Sequence, residues 1–406
     1  MANDVQYDKP LVSIIIPVYN GSNFMREAID SALAQTYPNI EIIVVNDGST
    51  DNTREIALSY GDKIRYFEKE NGGVATALNL GIRKMHGEYF SWLSHDDWYT
   101  PNKISAEIEA LQRTGERNLA VYSKYDLVKY PSGELNRIEC LIYGKERAEI
   151  GWFAVAMGLI TGCTLLIPRV YFKQYGGFDE SMRAVNDCEQ WFRMFADKRL
   201  VYVNESLVGS RVHDKQVTVT YTYMHDEEDL FYSRMLRKLS NMNLDDVGID
   251  YYLFFGFQLA RFYSNGNYKK TFGYIVDYMR KLQEPTDADE KRDAFCKKLR
   301  AGFSAVYVYC AGRVAKKFIM ALQLRDVVID GVSDSDSKLW GKTVESLPCV
   351  PPSEIPSDAL VIIANAYPDK ITDQLKAQGI KHVQSYVDWQ YDLLMTPIKK
   401  ELCESL

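Results

Sequence analysis

Four apolar runs separated by helix-period segments occupy residues 11–93, and that alternation is the strongest constraint on what this chain can become. Residues 11–16 and 41–45 are continuous and rich in β-branched side chains, residues 64–67 are short, and residues 87–93 close on Trp92 and Leu93. Between the first two runs, Met25, Ala28, Ile29, Ala32 and Leu33 recur at three- and four-residue steps, which is one face of a helix. Asp51 is placed to cap a helix reaching Tyr60, and Val74, Ala77, Leu78, Gly81, Ile82 and Met85 stripe another. Apolar strands without alternation are those covered on both faces. Strand and helix in turn therefore predict a parallel α/β sheet, in which ligands sit outside the carboxyl ends of the strands.

Polar clusters stand at three of those ends: Pro17-Val18-Tyr19-Asn20-Gly21, Asn46-Asp47-Gly48-Ser49 and Ser94-His95-Asp96-Asp97. Adjacent carboxylates beside a buried strand need compensation. A divalent cation supplies it, and oxygen ligands suit magnesium or manganese. The plainer reading is a surface turn leading into a helix at Thr100-Pro101. Neither Gly-x-Gly-x-x-Gly after the first run nor a P-loop is present. Tyr19 could stack on a base, Asp47 could accept from its N–H, and a cation at Asp96 could neutralise a diphosphate. Together they suit a nucleoside diphosphate ligand.

Ser13-Ile14-Ile15-Ile16-Pro17-Val18-Tyr19-Asn20-Gly21, the segment from Glu41 to Asp51, Asn71-Gly72-Gly73 with Ala77-Leu78-Asn79-Leu80-Gly81, and Leu93-Ser94-His95-Asp96-Asp97 follow one another in order. In that order they resemble family 2 glycosyltransferases of the GT-A fold, over residues 10–220. The resemblance implies a nucleotide-sugar donor, Mn2+ or Mg2+, and inversion at the anomeric carbon. It implies that Pro17 and Tyr19 line the base site, that Asp47 contacts uracil, and that Asp96 binds the metal with Asp97 in support. Ser94 and His95 stand where many relatives carry the first Asp of the motif; they are expected ribose contacts, with a structural role the alternative for His95.

Gly176-Gly177-Phe178-Asp179-Glu180 and Val185-Asn186-Asp187-Cys188-Glu189-Gln190-Trp191 resemble the family's acceptor side, which makes Asp187 the catalytic base. A cap for a helix over 188–196 is the structural reading of the same residue. Arg211-Val212-His213-Asp214-Lys215-Gln216, read as following a short strand over 200–203, resembles the segment that folds back over the diphosphate. There His213 would ligate metal or donate to a phosphate, and Arg211 would neutralise charge.

The remaining features bound the setting. Residues 151–167 are apolar but short for a membrane span and carry three glycines, so they read as a buried helix and strand. The polar start over 1–9 predicts no signal peptide, and seven cysteines without paired spacing fit a reducing compartment. The expectation is a cytoplasmic protein, with peripheral association at the inner face of the membrane allowed. A net charge of −7 gives no electrostatic case for nucleic acid.

With 406 residues the chain has room for more than one domain. The expected division is a GT-A domain over 1–220, a helical bridge over 221–300, and a smaller Rossmann-like α/β domain over 301–406. Helices are predicted over 227–242, 251–263, 268–282 and 287–299, with a turn at Asn265-Gly266-Asn267. Strands are predicted over 305–309, 327–332 and 359–364, with a helix over 368–378. Cys310 and Ala315 replace the first and third glycines of a dinucleotide fingerprint, so an interaction, homo-oligomerisation or degenerate nucleotide-binding module is expected there.

The leading expectation is a metal-dependent inverting glycosyltransferase. It would move a sugar from a UDP-sugar to a hydroxyl of a glycan, glycoprotein or lipid-linked acceptor in bacterial surface glycan synthesis. A non-catalytic sugar-nucleotide-binding scaffold and an NAD-linked enzyme using the C-terminal lobe are the alternatives.

Overall fold

The β-branched runs become strands. A computed structural model describes residues 9–137, 141–214, 216, 224–242, 250–262, 268–365 and 367–404. The start over 1–8, Lys215, the turn at 265–267 and the expected boundary at 220–221 lie outside the described residues. The chain divides into two units, Met1–Glu227 and Glu228–Leu406.

In the first unit, β1 (Val12–Val18), β2 (Ile40–Asp47), β3 (Arg65–Lys69) and β4 (Tyr89–Trp92) pair in parallel in the order β3-β2-β1-β4. Every residue of β1 is buried, as a run covered on both faces requires. The helix Met25–Leu33 buries Met25, Ala28, Ile29 and Ala32, and the helix Val74–Lys84 buries Ala77, Leu78 and Gly81, the stripes read from the sequence.

The sheet then turns mixed. It continues through β5 (Trp98–Tyr99), β6 (Val121–Lys129), β7 (Glu134–Arg137), β8 (Leu165–Pro168) and β9 (Val201–Val212). From β4 the order runs β8-β6-β9-β5, with β7 on β6. The short strand expected over 200–203 is in fact β9, which carries Arg211 within it. Its pairing with β6 survives two register shifts, between Ser123 and Lys124 and between Lys124 and Tyr125. Residues 151–167 form the fully buried helix Gly151–Ala156 followed by β8. Among the described residues no helix is long and apolar enough to cross a membrane.

Beneath β4 lies a buried ion pair. Lys103 Nζ donates to Glu107 at 2.8 Å and to Ser91 Oγ at 3.0 Å, with both charged side chains fully out of water. Burial pushes the Glu107 carboxyl up and the Lys103 amine down. The pair ties the helix Lys103–Thr114 to the strand that delivers Asp96.

The second unit contains the helices Tyr251–Phe262, Lys269–Met279 and Ala288–Arg300. Its sheet comprises β10 (Val306–Tyr309), β11 (Gly331–Ser333), β12 (Thr343–Val344), β13 (Leu347–Val350), β14 (Leu360–Ile363) and β15 (His382–Ser385). The order is β12-β13-β11-β10-β14-β15, parallel throughout except for β12 with β13. The chain leaves β10 for β11 on one side and later crosses from β13 to β14 on its other side, which makes a topological switch point between β10 and β14.

The strand expected over 327–332 shrinks to Gly331–Ser333. Val328 is 66% exposed, and its carbonyl accepts from Arg300 rather than from a neighbouring strand. Cys310 takes φ +81° despite its side chain, with the Ala311 amide donating to Asp334 at 2.8 Å.

Candidate active site

The loops after β1 and β2 are bolted together by backbone donors meeting short polar side chains. Gly21 N donates to Thr53 Oγ1 at 3.0 Å, Ser22 N to Asp51 at 3.0 Å, and Thr50 N to Asn20 Oδ1 at 2.8 Å. The helix Thr53–Leu58 has Asn52 at its cap position, but it is the expected residue, Asp51, whose side chain accepts its first amide, Thr53 N, at 3.0 Å. Burial raises the Asp51 pKa, but hydrogen bonds from Thr53 and Ser22 outweigh it and bring it down to about 2.

On this frame Pro17 is buried at the end of β1, and the Tyr19 ring projects outward, half exposed. Asp47, at the end of β2, is buried. Its carboxylate accepts from Lys69 Nζ at 2.6 Å, Gly72 N at 3.0 Å and Gly73 N at 2.7 Å. Thr76 Oγ1 also stands 3.5 Å from this carboxylate, but its one hydroxyl proton has the shorter bond to Gly73 O at 2.8 Å, which leaves one of about four acceptor positions open.

The end of β4 brings the next set together. His213 Nε2 and Asp96 Oδ2 are 3.1 Å apart, with side chains 12% and 15% exposed. Asp97 turns the other way, with 7% of its surface exposed. Its Oδ1 accepts from Arg211 N at 2.8 Å, and its Oδ2 lies 3.3 Å from the Cys163 thiol, which is also 3.3 Å from Ser94 Oγ. Burial, with the Asp96 charge beside it, pushes the Asp97 carboxyl up to about 7.

Arg211 fastens this loop. Its Nε donates to Asp96 O at 3.0 Å, its Nη2 donates to Glu27 at 2.5 Å, and its guanidinium lies 4.4 Å from the Phe24 ring and 5.0 Å from Trp98. The guanidinium is thus committed to protein acceptors and rings. His95 packs on Gly21, where an added Cβ would come within 2.6 Å of its ring; burial lowers the pKa of that imidazole.

Asp187 lies inside the helix Asn186–Phe195, whose cap position is Val185. The expected helix over 188–196 starts two residues early, so Asp187 sits in its first turn rather than capping it. A carboxylate there is favoured by the helix dipole. One turn further on, the buried Trp191 ring packs 5.4 Å from Phe178, which packs 5.9 Å from Trp92 at the end of β4. This aromatic chain registers the Asp187 helix on the strand that carries Asp96.

Asn79 pins the same segment, donating to Phe178 O and accepting from Phe178 N. Arg183 Nη1 donates to Gly72 O at 2.9 Å, while the Arg183 and Ala184 amides donate to Glu227. Gly73 is required beside it: φ is +91°, and an added Cβ would meet Arg183 Nη1 at 2.6 Å. Cys163, Glu27, Lys69 and Arg183 had no role in the sequence reading. Each is isolated in the sequence, and only the fold brings it to the site.

Among the described residues no group of three or more His, Cys, Asp or Glu side chains gathers as a metal cage. Asp96 nevertheless offers carboxylate oxygen to a cation that completes its shell with substrate phosphates and water, as magnesium does, and the His213 imidazole beside it adds a nitrogen better suited to a transition metal.

Residues 13–176 match the family model described as Glycosyl transferase family 2. A glycosyltransferase of Rickettsia typhi is 49% identical over 264 residues, 65% of this chain and 83% of that protein. Another, from Rickettsia prowazekii, is 52% identical over 232 residues, 57% of this chain and 73% of that one. The structure of S. aureus TarS 1-349 in complex with UDP-GlcNAc aligns with TM-score 0.50 at 14% identity, covering 72% of this chain and 81% of that chain. At that identity the likeness is one of fold. The chain belongs to glycosyl transferase family 2 and carries, besides its GT-A domain, a second α/β sheet.

Proposed function

We propose that this glycosyltransferase is metal-dependent and inverting, moving a sugar from a UDP-sugar to a hydroxyl of a glycan, glycoprotein or lipid-linked acceptor in bacterial surface glycan synthesis. The observation that carries the reading is the Asp96–His213 pair at the end of β4, braced from behind by Asp97 and Arg211. UDP as the nucleotide rests on the resemblance of the strand-end motifs. The division at 1–220, 221–300 and 301–406 is retained as the domain proposal.

Tyr19 and Pro17 would flank the base, and Asp47 would accept from the uracil N–H with its remaining acceptor position. Ser94 and His95 would meet the ribose. Asp96 and His213 would hold Mn2+ or Mg2+, which when bound neutralises charge developing on the diphosphate. Asp97 and Arg211 support that pair by fixing the loop on which Asp96 stands. Asp187 would take the proton from the acceptor hydroxyl as its oxygen bonds to the anomeric carbon. The bond from that carbon to the diphosphate oxygen breaks on the opposite face, and UDP leaves. Inversion follows from this single displacement.

Calorimetric titration of the full chain with UDP, with and without manganese, tests the reading. Binding that requires the metal is the expected result. Absence of UDP binding under both conditions would overturn the UDP assignment.

A further inference from the structure

The second unit contains a cationic cluster that the transfer chemistry leaves unused. Arg313 and Lys317 stand one turn apart at the amino end of the helix Arg313–Gln323, which follows β10. Lys317 Nζ lies 5.9 Å from the centre of the Tyr268 ring. That ring is 5.4 Å from Phe262, over which the Arg261 guanidinium stands at 5.4 Å. Both guanidinia act on Lys317 and on Tyr268. The carboxylate acting against them is Glu228, which accepts the Tyr268 hydroxyl at 2.7 Å.

Among the described residues, the charges acting on Lys317 are two guanidinia against one carboxylate, a net repulsion, and taking the amine out of water adds to the cost. Burial, then the two guanidinia, push the Lys317 amine down to about 8. An anion would relieve both penalties. The excess of cations matches a phosphate dianion, and guanidinium forks suit phosphate oxygens better than a point charge does. The first turn of the helix adds unpaired amides and the positive end of its dipole. Because the Ala311 amide is already held by Asp334, side chains and that first turn would do the reading.

We propose that Arg261, Arg313 and Lys317 form a second anion site, for a ligand bearing phosphate or pyrophosphate. The proposal stands independently of the transfer reading, since none of its residues belongs to that site.

The test is titration of the full chain with inorganic pyrophosphate in EDTA, which keeps a metal-dependent diphosphate site silent. The expected result is binding that weakens at least ~10-fold in Arg313→Ala and in Lys317→Met. Lys316→Ala, which removes a charge from the same helix outside the cluster, should stay within about 2-fold of the parent. Arg313 is exposed, so its loss leaves the core intact. No binding by the parent chain, or equal weakening in all three variants, overturns the site. A parallel titration with UDP separates sources: equal affinity per phosphate means that the anion alone is read, and tighter binding means that the nucleoside is read as well.

Discussion

At the end of β4 the chain gathers Asp96, Asp97 and His213 and braces them with Arg211 and Cys163. At the end of β10 it sets Cys310 in a left-handed turn, ties the next amide to Asp334, and places Arg313 and Lys317 along the following helix. Both strands stand in parallel stretches of their sheets with their carboxyl ends available, and the topology alone would nominate either for a ligand. What separates them is the charge at the edge. The first presents carboxylates that call for a cation; the second presents cations that call for an anion. A shared sheet architecture therefore fixes where chemistry can happen and leaves open which kind.

Substitutions in the first unit press on that contrast. Asp187→Asn should cost the largest factor, about 10²–10⁴ in turnover, the usual worth of a positioned general base. UDP affinity should be preserved, read by calorimetry beside a transfer assay; unchanged turnover would remove Asp187 from the base role. Next comes Lys103→Met, which strands the Glu107 carboxyl in the core beneath β4. Stability should fall by ~3–5 kcal/mol in denaturant titration, the cost of breaking a buried pair. A loss below about 1 kcal/mol would mean that water reaches the pair.

His213→Ala should then weaken manganese-dependent UDP binding by ~10–100-fold, the range seen when support for a metal is lost. Unchanged manganese-dependent binding in the variant would place His213 outside the metal site. The smallest effect belongs to Asp51→Asn. The folded pKa of Asp51 lies below its ordinary 3.8, at about 2, so its contribution is present above pH 3.8 and disappears as pH falls through 2. The variant should flatten that acid limb of stability; an identical limb would show that the loop bolt carries no net energy.

The parallel half of the first sheet was legible because its signals are local. Each β-branched run is covered on both faces, and each helical stripe can be read within a dozen residues. The extent of β9 was hidden by Asn204-Glu205-Ser206, which break the apolar pattern while the strand continues. In the second unit β15 consists of His382, Val383, Gln384 and Ser385, which carry no strand period to read. The Asp187 helix was misjudged at its start because an Asp fits both a cap and a first turn.

The site divides along the same line. Asp96 and Asp97 are adjacent and invite a reading from the sequence. Their bracing is long-range: Cys163 meets Asp97 across 66 residues, and Glu27 meets Arg211 across 184. No pattern within one segment encodes a thiol folded against a carboxylate so far away.

Gly72 gives its amide to Asp47 and its carbonyl to Arg183, so this one residue is a junction between the loop that holds Asp47 and the stretch leading to Asp187. Lengthening residues 179–186 to admit a bulkier acceptor would release that junction as well. If Asp47 and Asp187 take the proposed roles, acceptor range and nucleotide grip are not separate dials in this molecule, and variants selected for one should drift in the other.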